Sequence, residues 1–281
     1  MIDYLGCDKI ITVKMQQSTR KNMEPKEQKL DIVSKGVNQN LAYFFRPGEL
    51  GTVLWLHAYC CGKEDFKPAF LNNQLAGYAL AAFDFPGSSN SPYPTEVSYD
   101  FDDLVEITKE FIEHMGLKKV IVIGHSTGSL VASLLAKRYP DLVKAVVSVE
   151  GNMDLCDCWL TKKIAGNSYQ KFIQEILPEY LKGLEGGRIE VYGEHLKRAN
   201  PKSCFDYADS VLKYSKTGLV DFLALKLPKF YIYCSENSSL PYLSILKEKA
   251  PVVEIPNSNH WPIYDNPEVF FKVLSEFLRN I

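Results

Sequence analysis

The run Gly124-His125-Ser126-Thr127-Gly128 is the part of this sequence best suited to covalent chemistry. It follows the apolar run Lys119–Ile123, and Ser129-Leu130-Val131 opens a helical stripe directly after it. A serine between two glycines in a strand–turn–helix context sits on a sharp, strained bend, so its oxygen projects from the backbone. Gly124 and Gly128 lack the β-carbons that would strike the neighbouring strand and helix. The amide of Thr127 then stands at a helix N-terminus, aimed at charge developing on a substrate oxygen. Ser126 is therefore expected to be a nucleophile; the blander reading is a helix-capping serine after a glycine turn.

Such a bend needs a sheet to hold it. Short β-branched or aromatic runs alternate with helical patterns from Leu41 onward, the signature of a mainly parallel sheet with crossover helices. The strand candidates are Leu41–Phe45, Thr52–His57, Ala79–Asp84, Lys119–Ile123, Ala145–Val149, Phe230–Cys234 and Val252–Ile255. Several are apolar at consecutive positions, which suits a sheet covered on both faces. Phe101, Leu104, Val105, Thr108, Phe111, Ile112 and Met115 fall at three-four spacing, with Asp100 as N-cap and Gly116 at the stop. A second stripe, Leu130 to Leu135, ends before Pro140. Asn266-Pro267-Glu268 opens a last helix whose buried face is Phe270, Val273, Leu274, Phe277 and Leu278.

One stretch breaks the alternation. Residues 152–226 are helical in pattern and aromatic-rich, lie between two strand candidates, and are too long for an ordinary crossover. They read as a helical cap inserted over the carboxyl end of the sheet, where open α/β sheets bind ligands. The core then comprises 31–151 and 227–281, with 1–30 as an N-terminal extension; within the extension, the polar residues from Gln16 to Lys29 carry no apolar period and read as a loop or linker.

Composition narrows the function classes. With 281 residues, 46% hydrophobic and 23% charged, the chain is an ordinary packed α/β domain rather than a disordered or fibrous one. The 32 Lys and Arg against 34 Asp and Glu leave −2, so nothing favours a nucleic-acid or anionic-membrane partner. A small-molecule substrate is the expected partner, and no feature points to an oligomeric state. Met1-Ile2-Asp3-Tyr4-Leu5 carries an early acid and no apolar core before Lys9, unlike an export signal. The seven cysteines are odd in number and sparse, and Cys60-Cys61 and Cys156-x-Cys158 lack the usual zinc or redox spacing. Buried free thiols and a cytoplasmic address are expected.

The serine bend in its context resembles that of the α/β-hydrolase fold superfamily, over most of the chain from about Leu41. The resemblance implies a mainly parallel eight-stranded sheet flanked by helices, with the inserted helical cap. It also assigns roles. His57-Ala58-Tyr59 matches a His-Gly-x stretch in relatives, which implies that the amide of Tyr59 is the second oxyanion donor beside Thr127; Ala58 replaces the usual glycine. Asp84-Phe85-Pro86-Gly87-Ser88-Ser89 looks like a family loop that shapes the site without doing chemistry. Asn259-His260-Trp261-Pro262 lies where relatives carry the base. A serine hydroxyl is a weak nucleophile at neutral pH, and an imidazole can take its proton. Of five histidines, His260 alone sits on a loop at the carboxyl end; His125 and His57 belong to the serine bend and the oxyanion loop, His114 ends a helix, and His195 lies in the cap.

The family pattern breaks at the third member. Relatives carry Gly-x-x-Asp after the strand that here reads Lys229–Cys234, but this sequence has Cys234-Ser235-Glu236-Asn237. An amide can orient an imidazole but cannot stabilise imidazolium by charge. Glu150, ending the strand Ala145–Val149, is similar in placement to a glutamate found in part of the superfamily, including some haloalkane dehalogenases. A glutamate ending an apolar strand needs partners, because a lone buried charge is costly. Glu150 is the expected acid, with Glu236, Asp221 and Asp265 as alternatives.

These residues imply a carboxylesterase-like serine hydrolase that cleaves an ester or lactone of a small, partly apolar substrate through an acyl-enzyme, without cofactor or metal. Amide, thioester and carbon–carbon hydrolysis use the same groups. A hydrolase-like binding protein or sensor with little turnover is the reading from another class, and Asn237 is its support.

Overall fold

The structure, a computed structural model, describes residues 24–185 and 190–281. The part of the expected extension spanning 1–23, with its unlike-export start, lies outside them. The rest of it is corrected: Glu27–Ser34 is a strand, β1, rather than polar linker. It pairs antiparallel with β2 (Val37–Arg46) through a two-residue turn at Lys35 and Gly36, whose φ values of 52° and 74° fit a tight hairpin. Only Ile32 of β1 is buried, so its apolar signal is weak.

Six further strands follow: β3 (Thr52–Leu56), β4 (Ala79–Phe83), β5 (Val120–His125), β6 (Val143–Val149), β7 (Lys229–Cys234) and β8 (Val252–Ile255). The order is β1-β2-β4-β3-β5-β6-β7-β8. β2 runs antiparallel to its neighbours, and β3 to β8 are parallel. Alternate residues feed two cores. Leu54, Leu56, Val120, Val122 and Val146 pack on one face; Val53, Trp55, Ile121, Ile123 and Val147 pack on the other. Burial on both sides explains the unbroken apolar runs.

Several helices begin where a side chain caps their first turn. Helix α1 (Phe101–His114) begins with a reciprocal cap between Asp100 and Asp103 and gives way to Gly116 at φ 63°. Helix α2 (Gly128–Arg138) follows the serine bend and is buried along most of its length. Between β6 and β7 the described residues are helical or irregular and include α3 (Glu190–Arg198) and α4 (Pro201–Ser215). Helix α5 (Pro267–Arg279) is capped by Asn266 and closes the chain. Among the described residues no helix is long and apolar enough to cross a membrane.

The loop after β4 holds α4 onto the core. Tyr207 donates its hydroxyl to Pro86 O at 2.8 Å, and Asn200 N donates to Gly87 O at 2.8 Å. Buried Asp84 is fixed by Lys63, whose Nζ lies 2.8 Å from Oδ2. A second tie corrects the free-thiol expectation: Cys60 and Cys204 are paired, with Cα atoms 6.1 Å apart. Cys61, Cys156, Cys158 and Cys234 are free.

Candidate active site

Parallel register brings the chemistry to one edge. Leu56 of β3 lies opposite Gly124, His125 of β5 opposite Val149, and Val149 of β6 opposite Ile232. The residues that leave these strands therefore emerge side by side at the carboxyl end.

Ser126 takes φ 51°, the left-handed region that side chains rarely adopt. Its amide is held by Val149 O at 2.9 Å, and its carbonyl accepts from Ser129 N at 3.0 Å. The glycines make this bend possible. A β-carbon on Gly124 would lie 2.5 Å from the Gly128 carbonyl, and one on Gly128 would lie 2.3 Å from Leu56 O. Both obstacles are backbone and cannot move aside cheaply.

Glu150 repeats the trick on the next strand, also at φ 51°. Its amide donates to Ile232 O at 2.8 Å, which points the side chain across the edge toward the last loop. The carboxylate is 5% exposed and well supplied with donors. Cys234 N donates to Oε1 at 2.6 Å, His260 Nδ1 lies 3.1 Å from Oε2, and the Asn237 amide donates to Oε2 as well. Burial alone would push this carboxyl up; the imidazole of His260 and the Cys234 amide outweigh it and hold the group below the usual glutamate range.

His260 is positioned from behind. His125 lies under it, with Nε2 2.7 Å from the His260 carbonyl. Burial, helped by His260 nearby, drives His125 down to about 4, so it is neutral and Nε2–H donates to that carbonyl. Asp265 accepts from Asn259 N at 2.8 Å, and Asn259 from Trp261 N at 3.2 Å, which orders the rest of the loop.

Ser126, Glu150 and His260 line one cleft. In this structure the Ser126 hydroxyl donates to Oδ1 of Asn152 at 3.3 Å rather than to the imidazole. Thr127 and Tyr59 line the same cleft. Among the described residues, neither backbone N–H donates to a protein acceptor, so both are free for a ligand oxygen. His57 braces the loop that carries Tyr59: Nε2 accepts from Phe85 N at 2.9 Å and Nδ1 donates to Ala58 O at 2.7 Å. Burial lowers it to about 4, leaving it neutral.

The alternative acids lie elsewhere. Asp221 pairs with Lys137 at 2.7 Å, and Asp265 serves the Asn259 amide. Glu236 lies in the one-turn helix Ser235–Asn237 and lines a separate open groove with Asp265.

Sequence reasoning singled out Asn237, which contacts the glutamate, but missed two other residues. Asn152 contacts the serine and could have been flagged by the polar Glu-Gly-Asn ending of an apolar strand. Asp157, in the insertion, accepts from Tyr242 Oη at 3.0 Å and from Met153 N at 2.8 Å, forming a polar wall of the cleft. The opposite lining is apolar and aromatic, with Trp159, Leu160, Tyr180, Val211 and Trp261.

Comparison with known proteins gives a consistent picture. A family model described as alpha/beta hydrolase fold matches residues 51–186. A putative esterase/lipase of Mycoplasma pneumoniae is 25% identical over 239 residues, covering 81% of this chain and 89% of that protein. An sn-1-specific diacylglycerol lipase of Mus musculus is 23% identical, covering 85% of each. A solved structure of a thermophilic esterase from Thermogutta terrifontis superposes with a TM-score of 0.72 at 17% identity, over 90% of this chain and 98% of that one. At that identity the superposition speaks for the fold alone.

Proposed function

Because the chain belongs to the α/β-hydrolase fold superfamily, we propose that it is a serine hydrolase that cleaves an ester or lactone of a small, partly apolar substrate through an acyl-enzyme. The observation that carries this reading is the 3.1 Å contact of Glu150 Oε2 with His260 Nδ1 at the edge of the cleft that Ser126 enters. A carboxylate there fixes the tautomer with Nε2 free to accept a proton and stabilises the imidazolium that results. The relatives named as esterases or lipases support ester chemistry.

In the proposed reaction the substrate carbonyl sits against the Thr127 and Tyr59 amides. The Ser126 hydroxyl leaves Asn152 and gives its proton to Nε2 of His260 as Oγ attacks the carbonyl carbon. Apo geometries of this kind are often loose and tighten only with substrate. The two amide N–H groups donate to the oxyanion, worth roughly 3–4 kcal/mol per donor in comparable sites. His260 passes its proton to the leaving alcohol, then activates a water that hydrolyses the acyl-enzyme. The aromatic lining receives the apolar part of the substrate.

A binding protein with little turnover is the second reading, favoured by the hydrogen bond that parks the Ser126 proton on Asn152. A fluorophosphonate probe and a panel of short- and long-chain esters and lactones separate the two. Labelling at Ser126 together with turnover supports the hydrolase. Labelling without turnover of any panel member supports the binder, and no labelling removes both the nucleophile and the acyl-enzyme.

A further inference from the structure

Behind the oxyanion loop lies a second constellation that the proposed reaction does not use. Cys61 follows Tyr59-Cys60, Asp65 sits in the single 3₁₀ turn Lys63–Phe66, and His195 projects from α3. One ligand atom from each lies within 4.8 Å of the others. All three side chains are withdrawn from solvent, at 1%, 3% and 8% exposure. His195 Nε2 donates to Asp65 Oδ1 at 2.9 Å. The other carboxylate oxygen, Oδ2, is buried and has no hydrogen-bond partner among the described residues.

That orphaned oxygen is the informative feature. A buried carboxylate normally fills all its acceptor sites, because each one left empty forfeits hydration for nothing. The Cys61 thiol lies within reach of Asp65, and Ala58, Cys61 and Trp261 form one cluster against Tyr192. A cation would satisfy the free oxygen, and the donors offered with it are a sulfur, an imidazole nitrogen and a carboxylate. That borderline mixture suits zinc, whereas calcium and magnesium take oxygen alone. Tetrahedral zinc places such ligand atoms roughly 3.3–3.7 Å apart, within small side-chain shifts of the arrangement present.

We propose that Cys61, Asp65 and His195 form a site for one zinc ion, with its fourth position taken by water. Binding releases the thiol proton to solvent; His195 ligates through Nε2 as a neutral imidazole with its proton on Nδ1, alongside the Cys61 thiolate and the Asp65 carboxylate. The ion ties α3 to the segment that carries Tyr59. The site stands apart from Ser126, so it is a fastening and takes no part in acyl transfer.

The test uses the full chain, stripped with a chelator and titrated with Zn²⁺ and with Co²⁺ as its coloured substitute. One equivalent should bind. Cobalt should give the near-ultraviolet thiolate-to-metal band that only a sulfur ligand produces. The Tm should rise by roughly 5–10 °C at a hundredfold excess over Kd. Cys61→Ser and His195→Gln should each weaken affinity by at least ~100-fold, beyond what changes outside the ligand set usually cost. Ser126→Ala should bind metal as the parent does, which separates this site from the hydrolase reading. Sub-stoichiometric uptake by the parent chain, cobalt binding without the thiolate band, or undiminished uptake by both ligand variants overturns the proposal. The parent titration decides the matter if a variant does not fold.

Discussion

Asn237 donates its side-chain amide to Oε2 of Glu150, the same oxygen that faces His260. The end of β7 thus supplies a neutral donor to an acid carried on β6. One holds the charge, the other orients it. If this arrangement serves catalysis, Glu150→Gln should lower kcat by ~10³–10⁴-fold, the range seen when a triad carboxylate is neutralised. Glu236→Gln should change it by less than tenfold. Steady-state kinetics on any turned-over ester checks both, and the reverse ranking would move the acid to β7.

Asn237→Asp sharpens the same point. It sets a second carboxylate against Glu150 in a buried place, and two such groups cannot both ionise freely. One proton should be retained, so the acidic limb of the kcat/KM profile should move to higher pH. A profile unchanged in position would mean that Asn237 and Glu150 are not in contact in solution.

Ser126→Ala should remove activity by ~10⁴-fold or more and abolish fluorophosphonate labelling, as knockouts of comparable nucleophiles do. Intact-mass measurement of the labelled parent and the unlabelled variant reads this directly.

Asn152 presents a subtler case. Its Oδ1 holds the Ser126 proton at 3.3 Å, and its own Nδ2 reaches only weak acceptors, Asp157 O at 3.5 Å and the Cys158 sulfur at 3.8 Å. One neutral hydrogen bond contributes about 1 kcal/mol. Asn152→Ala should therefore alter kcat by less than about tenfold. A loss as large as that of Ser126→Ala would make Asn152 a participant in proton transfer, not a resting partner.

The parallel sheet was legible because its strands are buried on both faces, and the helices because their caps are written locally, as at Asp100 and Asn266. β1 was not, since Glu27, Gln28 and Lys29 of this edge strand face solvent and only Ile32 reports the core. Ser126 announces itself by its flanking glycines, which are backbone requirements and so appear in sequence. Glu150 has the same left-handed backbone with no glycine to mark it. The Cys60–Cys204 pair spans 144 residues, and Cys61 and Asp65 meet a histidine from the insertion. Contacts made by folding between distant segments leave no local spacing to read.

Three buried groups make opposing contributions to how stability responds to acid. His57 and His125 are both held down at about 4 by burial, against 6.5 when exposed. As pH falls from 6.5 to 4, the unfolded chain takes up protons that the folded chain refuses, so each histidine destabilises the fold across that window and the loss is complete below it. Asp84 has the opposite sign. Burial raises it from 3.8 to about 6, so the folded chain binds its proton first, and this stabilisation, present below 3.8, is lost as pH rises to 6. Two histidines pull against one aspartate, so the balance of these three groups is a loss of stability between pH 6.5 and 4. Denaturant midpoints measured across this range should fall accordingly. His125→Asn should flatten the slope, because one of the two destabilising histidines is gone; an unaltered slope would mean that His125 is free to protonate in the folded protein.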